Sequence, residues 1–256
     1  MTLGFSGEVA DYYQRYRRGY PPEVLDALAA ACTLTPADIA LDLGCGTGQL
    51  TIPMAARVRA VIGMDPEPDM LTRARTAEAP NVTWVLGADT DVPKLGTLVN
   101  DIGIVTVGQA LHWMDHEKLF DALFPLVRTG GGVAVLSNGT PLWLQDTPWS
   151  HALRGVMEQW LGTTLTNTCG TDQLARDRYR ASMINSGFEV RGSSVDYTDH
   201  LTVDQIIGGV YSALPEHRLP TDRAAFETLI RDVLAPHAPY IEHINVVMVL
   251  GIRSER

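Results

Sequence analysis

Residues 39–50 read IALDLGCGTGQL, and this stretch decides how the rest of the chain is interpreted. The apolar run Ile39–Leu43 is typical of a buried strand, and it leads into three glycines at alternating positions, Gly44, Gly46 and Gly48. Glycine lacks a Cβ, so such a loop can turn tightly and let a ligand approach its backbone. A helix-compatible segment, 49–57, follows. We therefore predict a strand-turn-helix unit whose turn presents free N–H groups to a ligand.

The spacing of these residues distinguishes between classes of nucleotide site. The pattern D-x-G-x-G-x-G, which begins at Asp42, is tighter than the G-x-G-x-x-G of dinucleotide sites. Together with the preceding strand it resembles motif I of the class I S-adenosylmethionine (SAM) methyltransferases. The resemblance implies SAM as cofactor and S-adenosylhomocysteine as product. A purely structural glycine-rich turn is the alternative.

A second apolar run, 59–64, ends at Asp65, which lies 21 residues after Gly44. At that position a carboxylate accepts hydrogen bonds from ribose hydroxyls. The family resemblance implies the same role, because class I methyltransferases carry an acid at the end of strand two. Asp65 could instead cap the helix that follows Pro66.

Two later stretches extend the resemblance. After the third predicted strand, 82–86, the family has an acid that faces the adenine amino group, and Asp89 occupies that position. After the fourth, 101–107, the stretch GQALHW (108–113) is similar to the segment of type-11 methyltransferases that borders the departing methyl group. The N-P-P-[YF] tetrapeptide of base-methylating enzymes is absent from the sequence.

Four tyrosines lie within the first 20 residues, and Tyr12, Tyr16 and Tyr20 share one face if the segment is helical. Aromatic faces attract cations such as a sulfonium, although tyrosines on a helix also serve as packing residues. The predicted catalytic and acceptor-site residues are His112, Tyr12, Tyr20, Phe120 and Trp113. His112 could act as a base or only shape the pocket.

The predicted cofactor-binding residues combine the motif positions with the segments between them. Arg17 is included because it could pair with the methionine carboxylate of SAM. The full set is Arg17, Tyr20, Asp42, Gly44, Cys45, Gly46, Gln49, Asp65, Pro66, Met70, Ala88, Asp89, Thr90, Gln109 and Ala110. No metal site is predicted, because His112 and His116 are four residues apart without a visible third ligand.

Composition excludes several classes of protein. Apolar residues make up 45% of the 256, and no apolar run approaches the ~18 residues of a membrane span. The formal charge of −10 disfavours a nucleic-acid partner, and the three arginines of 15–18 suggest only a local feature. The N-terminal residues do not resemble a secretory signal, and the three cysteines lack metal spacing. We expect a cytoplasmic protein whose oligomeric state is open.

The order of elements predicts one α/β domain over residues 1–256. The resemblance implies a Rossmann-like, seven-stranded class I methyltransferase sheet with helical insertions forming a substrate lid. We expect residues 1–31 to form an N-terminal helical cap. Residues 138–171 and 199–240 are expected to be inserts over the pocket.

The predicted function is methyl transfer from SAM to a small molecule by in-line displacement. Resemblance to bacterial enzymes of secondary metabolism, such as lincosamide N-methyltransferases, favours an amine acceptor and a role in antibiotic biosynthesis. The alternative is an O-methyltransferase for a carboxylate or hydroxyl, such as the aconitate type. Two other classes stay open: a nucleotide-dependent oxidoreductase and a non-catalytic SAM-binding protein.

Overall fold

The structure, a computed structural model, describes residues 4–255. Helices and strands alternate through the first half of the chain and then give way to longer helical segments. In chain order they are α1 (Glu8–Tyr16), α2 (Pro22–Ala31), β1 (Ile39–Leu43), α3 (Thr51–Ala55), β2 (Ala60–Asp65), α4 (Pro68–Ala74), β3 (Val82–Leu86), α5 (Val92–Leu95), β4 (Ile102–Gly108), α6 (His116–Leu123), β5 (Val127–Asn138), α7 (Pro148–Leu161), α8 (Gln173–Asn185), β6 (Glu189–Leu201), α9 (Val203–Tyr211), α10 (Arg223–Leu234) and β7 (Tyr240–Ile252).

Across residues 4–255 the strands form one seven-stranded sheet in the order β3-β2-β1-β4-β5-β7-β6. Strands β1 to β5 pair in parallel, whereas β7 runs antiparallel to both of its neighbours, β5 and β6. The order reverses at β1 and β4, and ligands bind beside such a switch point in open α/β sheets. The predicted Rossmann-like, seven-stranded sheet is confirmed.

Alternate residues of the central strands point to opposite faces of the sheet and enter two separate hydrophobic clusters. Leu41 and Val105 pack on one face with α6 and α8. Ala40 and Ile104 pack on the other face with α2 and α3. Covering both faces explains why these strands are almost continuously apolar.

A third hydrophobic cluster lies apart from the sheet. Most of its buried residues come from α1, α7, α9 and α10, and include Val9, Leu153, Val210 and Ile230. We call these four helices the cap. The cap therefore combines the first helix with segments from both regions predicted as inserts, whereas α2, which was expected to belong to the N-terminal cap, packs on the sheet.

Some element bounds differ from the sequence-based prediction. The helix after the glycine loop covers only Thr51–Ala55 rather than 49–57, since Gly48 and Gln49 belong to the loop. The apolar pattern also predicts strands over 189–197 and 245–252, and in the structure both strands, β6 and β7, extend beyond these ranges. They pair continuously from Glu189 with Ile252 to Leu201 with Tyr240, and this ladder orders the additional residues.

A partly buried ion pair closes the amino end of the sheet. Arg128 Nε lies 2.6 Å from Asp38 Oδ1, and the Asp38 side chain is 8% exposed. Nη2 of the arginine donates to the other carboxylate oxygen and to the carbonyls of Cys32 and Thr33. Nη1 donates to the Thr129 carbonyl. The pair therefore fixes the turn between α2 and β1.

We predict that Asp38→Asn lowers the free energy of unfolding at pH 7 by about 3 kcal/mol, because it leaves Arg128 without its counter-charge. The Arg128 hydrogen bond lowers the pKa of Asp38. The wild-type pair therefore contributes its full stability above the ordinary carboxyl pKa, and this contribution is lost as the pH falls through the lowered pKa. Denaturant titrations at several pH values measure both effects. Asp26→Asn, which breaks an exposed pair with Arg57, is the control.

Candidate active site

The glycine loop after β1 adopts the tight turn predicted for it. Gly44 and Gly46 have φ angles of 66° and 55°, which residues with a side chain rarely adopt. A Cβ on Gly44 would lie 2.4 Å from the Cβ of Ala110, so the loop can pass the end of β4 only without a side chain there. Close packing of these two loops brings motif I and the GQALHW stretch together.

The loop is bound to the end of β2 through its own amide groups. The N–H groups of Gly44 and Cys45 donate to the Met64 carbonyl, at 2.8 and 3.1 Å. The Gly46 N–H donates to Asp65 Oδ2 at 2.8 Å. The prediction that these amides are free donors for a ligand is therefore wrong, because the neighbouring strand accepts all three hydrogen bonds.

A cleft of about 320 Å³ opens at the carboxyl ends of β1, β2, β3 and β4, and we call it the cofactor cleft. Most of the predicted cofactor residues line it: Gly44, Gly46, Asp65, Pro66, Met70, Ala88, Asp89, Thr90, Gln109 and Ala110. These residues follow the ends of strands β1 to β4, which lie at one edge of the sheet. Their position directly after each predicted strand was therefore enough to predict that they share a site.

Two acids in the cofactor cleft also organise its walls. Asp65 is 6% exposed, and its Oδ1 accepts from the Glu67 N–H at 2.9 Å while Oδ2 holds Gly46. Asp65 therefore joins the glycine loop to the start of α4. Asp89 Oδ2 accepts from the Asp115 N–H at 3.1 Å, which joins the loop after β3 to the start of α6.

A second cavity, of about 360 Å³, lies between the sheet and the cap, and we call it the acceptor cavity. Strand ends, the segment 15–20, the region 138–143 and the start of α9 contribute to its lining. The predicted residues in it are Arg17, Tyr20, Asp42, Gly44, Cys45, Gln49, Gln109, His112 and Trp113. Five predicted cofactor residues, Arg17, Tyr20, Asp42, Cys45 and Gln49, thus line this cavity rather than the cofactor cleft.

The two cavities meet at a shared set of lining residues: Phe5, Tyr13, Gly44, Gly108, Gln109 and Trp113. Gln109 has a φ of 57°, an uncommon value outside glycine, which agrees with its position in a sharply turned segment after β4. Trp113 is 52% exposed, and its ring centroid lies 6.3 Å from that of Phe5. A group transferred between the cavities would pass this junction.

His112 lines the acceptor cavity one residue before the junction residue Trp113. Burial lowers the pKa of His112 to about 4, so its imidazole is neutral at physiological pH. A neutral imidazole with so low a pKa binds a proton weakly. His112 therefore lies where it can shape the pocket or form a hydrogen bond, and it is only a weak base.

Asp42 is a buried acid at the floor of the acceptor cavity. Its oxygens accept hydrogen bonds from the hydroxyls of Thr51, at 2.5 Å, and Thr106, at 2.7 Å. Burial raises the pKa of Asp42 to about 6. The two carboxylate oxygens thus join β1, in which Asp42 lies, to α3 and β4.

Two predicted acceptor-site residues lie outside both cavities. Phe120 is fully buried in the cluster between the sheet and α6, since the stripe of α6 to which it belongs faces the core. Tyr12 packs in the cap, with its ring centroid 4.9 Å from that of Tyr211. The predicted three-tyrosine face does not form, because α1 ends at Tyr16 and Tyr20 follows in a non-helical segment.

Several lining residues were not predicted. Tyr13, beside Tyr12 in the sequence, lines both cavities, so a correct helical phase for α1 would have found it. The others belong to no motif and come from segments that are far apart in the sequence. In the acceptor cavity they include Arg15, Tyr16, Arg18, Asn138, Thr140, Trp143, Cys169, Asp199 and Gln205; in the cofactor cleft they include Phe5, Met64, Glu67 and Met114.

Arginines give the acceptor cavity its charge. Arg15 and Arg17 line it, each with its guanidinium 5.2 Å from the ring centroid of a tyrosine, Tyr16 and Tyr13 respectively. Within residues 4–255 neither forms an ion pair with a carboxylate. Arg18, which also lines the cavity, is instead paired with the buried Glu242.

Two kinds of feature are absent from the part of the chain that the structure describes. Between residues 4 and 255 no helix is long and apolar enough to cross a lipid bilayer. In the same range no group of three or more His, Cys, Asp or Glu side chains could hold a metal ion. His116, four residues after His112, has its Nδ1 2.9 Å from Ser182 Oγ, on the side of α6 that faces α8.

Comparison with known proteins agrees with this geometry. Residues 40–131 match the family model described as a methyltransferase domain. A protein assigned as a type II methyltransferase from Anaeromyxobacter dehalogenans has the same fold, with a TM-score of 0.66 and 20% identity over 94% of this chain and 100% of that one. Residues 40–131 are thus similar to methyltransferase domains, and the chain has the fold of class I methyltransferases.

Sequence relatives are similar over about half of the chain. An uncharacterised methyltransferase of Mycobacterium tuberculosis is 36% identical over 138 residues, which are 54% of this chain and 53% of the relative. A trans-aconitate 2-methyltransferase of Deinococcus radiodurans is 32% identical over 130 residues, 49% of this chain and 47% of the relative. The chain therefore spans about half the length of the curated relatives it matches.

Proposed function

We propose that the protein is a SAM-dependent methyltransferase that esterifies a carboxylate of a small molecule. The acceptor binds in the cavity between the sheet and the cap, and the methyl group is transferred at the junction of the two cavities. This is the O-methyltransferase alternative from the sequence analysis rather than the amine acceptor that resemblance favoured. A role in antibiotic biosynthesis stays a prediction.

The fit of the cofactor cleft supports SAM as the methyl donor. A Cβ on Gly44 would collide with Ala110, so the loop at the cleft is shaped by the absence of a side chain. Asp65 offers carboxylate oxygens suited to ribose hydroxyls, and Met70 and Ala88 offer apolar surface suited to an adenine ring. When bound, SAM supplies a methyl group on a positively charged sulfur.

The single observation that carries the acceptor class is the pair Arg15 and Arg17. Both line the acceptor cavity, and neither has a carboxylate partner among residues 4–255. Arginine binds carboxylates through two parallel hydrogen bonds. One of these cations can pair with the methionine carboxylate of SAM, as predicted for Arg17, and Arg15 is then left for the acceptor.

The cavity is less suited to an amine. The faces of Tyr13 and Tyr16, which would attract an ammonium group, already carry the guanidinium groups of Arg17 and Arg15. An amine must also lose its proton before it attacks, and His112 is a weak base because burial lowers its pKa to about 4. The trans-aconitate methyltransferase among the relatives agrees with a carboxylate acceptor.

The reaction then needs alignment more than proton transfer. A carboxylate oxygen is already ionised at neutral pH, and it forms a bond to the methyl carbon as the carbon–sulfur bond breaks and its electron pair returns to sulfur. The products, a methyl ester and S-adenosylhomocysteine, balance without an added base. Arg15 orients the carboxylate, the hydroxyls of Tyr13 and Tyr20 stay protonated because burial raises their pKa values, and the cap excludes water.

The decisive experiment is a transfer assay with methyl-labelled SAM on carboxylates (trans-aconitate, fumarate and crotonate) and on amines (tyramine and putrescine). We expect label in at least one carboxylate product. Alkaline treatment then releases the label as volatile methanol, because a methyl ester is cleaved by base and an N-methyl group is not. Base-stable label in an amine, with none in the carboxylates, would contradict the proposal.

For the cofactor site we predict that Asp65→Asn raises the dissociation constant of S-adenosylhomocysteine at least about ten-fold, because an amide replaces a carboxylate acceptor at the ribose. Calorimetric titration measures it, with NADH as the control ligand and the exposed Asp146→Asn as the control variant. An unchanged dissociation constant in Asp65→Asn would show that Asp65 does not bind the ribose. Binding of NADH alone would instead indicate an oxidoreductase.

The pH profile distinguishes the two acceptor classes. For a carboxylate we predict that kcat/KM stays flat from about pH 7 to 9, because the acceptor is ionised and His112 is neutral throughout. The profile of His112→Ala should be equally flat, at a lower rate. A rate that rises about ten-fold per pH unit would indicate deprotonation of an amine acceptor.

A further inference from the structure

Three separate parts of the chain form the acceptor cavity beside the cap. They are the segment 15–20, from the last turn of α1 to α2, the region 138–143, which begins at the last residue of β5, and the end of β6 at Asp199 and Leu201. Asn138 Nδ2 donates to the Gly19 carbonyl at 3.1 Å, which gives the first two parts one direct contact. Their further connection depends on a charged residue outside the cavity lining.

That residue is Glu242, in β7. Its side chain is 1% exposed, and its two oxygens accept from different parts of the cavity wall. Oε2 binds Nη2 of Arg18, next to Arg17, and Oε1 binds Nε2 of Gln145, two residues after the lining residue Trp143. A single buried carboxylate thus joins the first two parts of the wall, and its residue pairs with Asp199 of the third part in the β6–β7 ladder.

Arg18 has fewer hydrogen-bond partners than Arg128 and therefore depends more on its carboxylate partner. At the other end of the sheet, Arg128 uses every guanidinium nitrogen, on Asp38 and on three carbonyls. In Arg18, by contrast, Nη1 is buried and no group within residues 4–255 accepts a hydrogen bond from it. Glu242 is therefore the main partner of Arg18, and the Tyr197 hydroxyl makes a smaller contribution.

We propose that Glu242 is a positioning residue for the acceptor: by holding Arg18 and Gln145 it fixes the arginine-bearing segment against the region after β5. The inference rests on the proposed function, since it concerns how the carboxylate acceptor is bound. Glu242 lines neither cavity. It acts through the lining residue Arg18, three positions after Arg15, and through Gln145, two positions after the lining residue Trp143.

The expected effect is selective, because the ends of the cofactor cleft assigned to the ribose and the adenine lie far from Glu242. They are built on the ends of β2 and β3, at Asp65, Ala88 and Asp89, in the half of the sheet farthest from β7. Loss of the Glu242 contacts should therefore weaken the acceptor more than the cofactor. A defect in the fold as a whole would weaken both.

The test compares Glu242→Gln with Asp38→Asn in the full chain, using as acceptor the carboxylate that the wild-type protein methylates fastest in the transfer assay. Both variants remove the carboxylate from an ion pair of similar exposure, 25% and 1% for Arg18 and Glu242 against 23% and 8% for Arg128 and Asp38. We expect both to lower the unfolding temperature. Only Glu242→Gln should raise the acceptor KM, by about ten-fold, with a dissociation constant for S-adenosylhomocysteine within about three-fold of wild type.

A second variant keeps the inference testable if Glu242→Gln does not fold. Gln145→Ala leaves the ion pair intact and removes only the contact to the region after β5, so it should raise the acceptor KM in the same direction by less. An unchanged KM in the folded variants, an equal rise in Asp38→Asn, or a parallel loss of S-adenosylhomocysteine binding would overturn the inference alone. Failure of the wild-type protein to methylate any carboxylate would overturn the proposed function, and the inference with it.

Discussion

The attachment of the glycine loop to the end of β2 is the constraint on which both cavities depend. Gly44, Cys45 and Gly46 direct their amides to the Met64 carbonyl and the Asp65 carboxylate. Buried amides without a partner are costly, so a loop satisfied in this way has one stable path. Along that path Gly44, which has no side chain, passes close to Ala110. The loop then borders both the cofactor cleft and the acceptor cavity.

The two cavities differ in how they are built, and this difference has a functional consequence. The cofactor cleft belongs to the sheet, whose strands are fixed by ladders of backbone hydrogen bonds. The acceptor cavity lies where the sheet meets the cap, which has a hydrophobic cluster of its own. The acceptor wall therefore depends on a few side-chain contacts, among them those of Glu242, and such a wall can change its specificity without disturbing the sheet.

The protein is acidic overall, but arginines line its acceptor cavity, so its charges act over two different distances. The net charge of −10 acts over the whole surface, but salt screens it beyond about 8–10 Å at physiological ionic strength. Within the cavity the arginines act at short range. Their stacking on Tyr13 and Tyr16 holds the guanidinium groups in place before an acceptor arrives, which reduces the entropy lost on binding.

The sequence by itself determined the sheet and most of the cofactor cleft. These features follow from local rules: apolar strands, glycines in a tight turn, and acids at strand ends that parallel pairing brings to one edge. Even there, the use of the loop amides was mispredicted, because an amide and its acceptor on the next strand are far apart in the sequence. The acceptor cavity was decided only by the tertiary structure. The helical phase of α1 turned Tyr13 rather than Tyr12 toward the cavities, Phe120 was drawn into the core, and the cap joined Arg15 to residues more than a hundred positions away, since the packing of side chains between distant helices leaves no periodic pattern in any one segment.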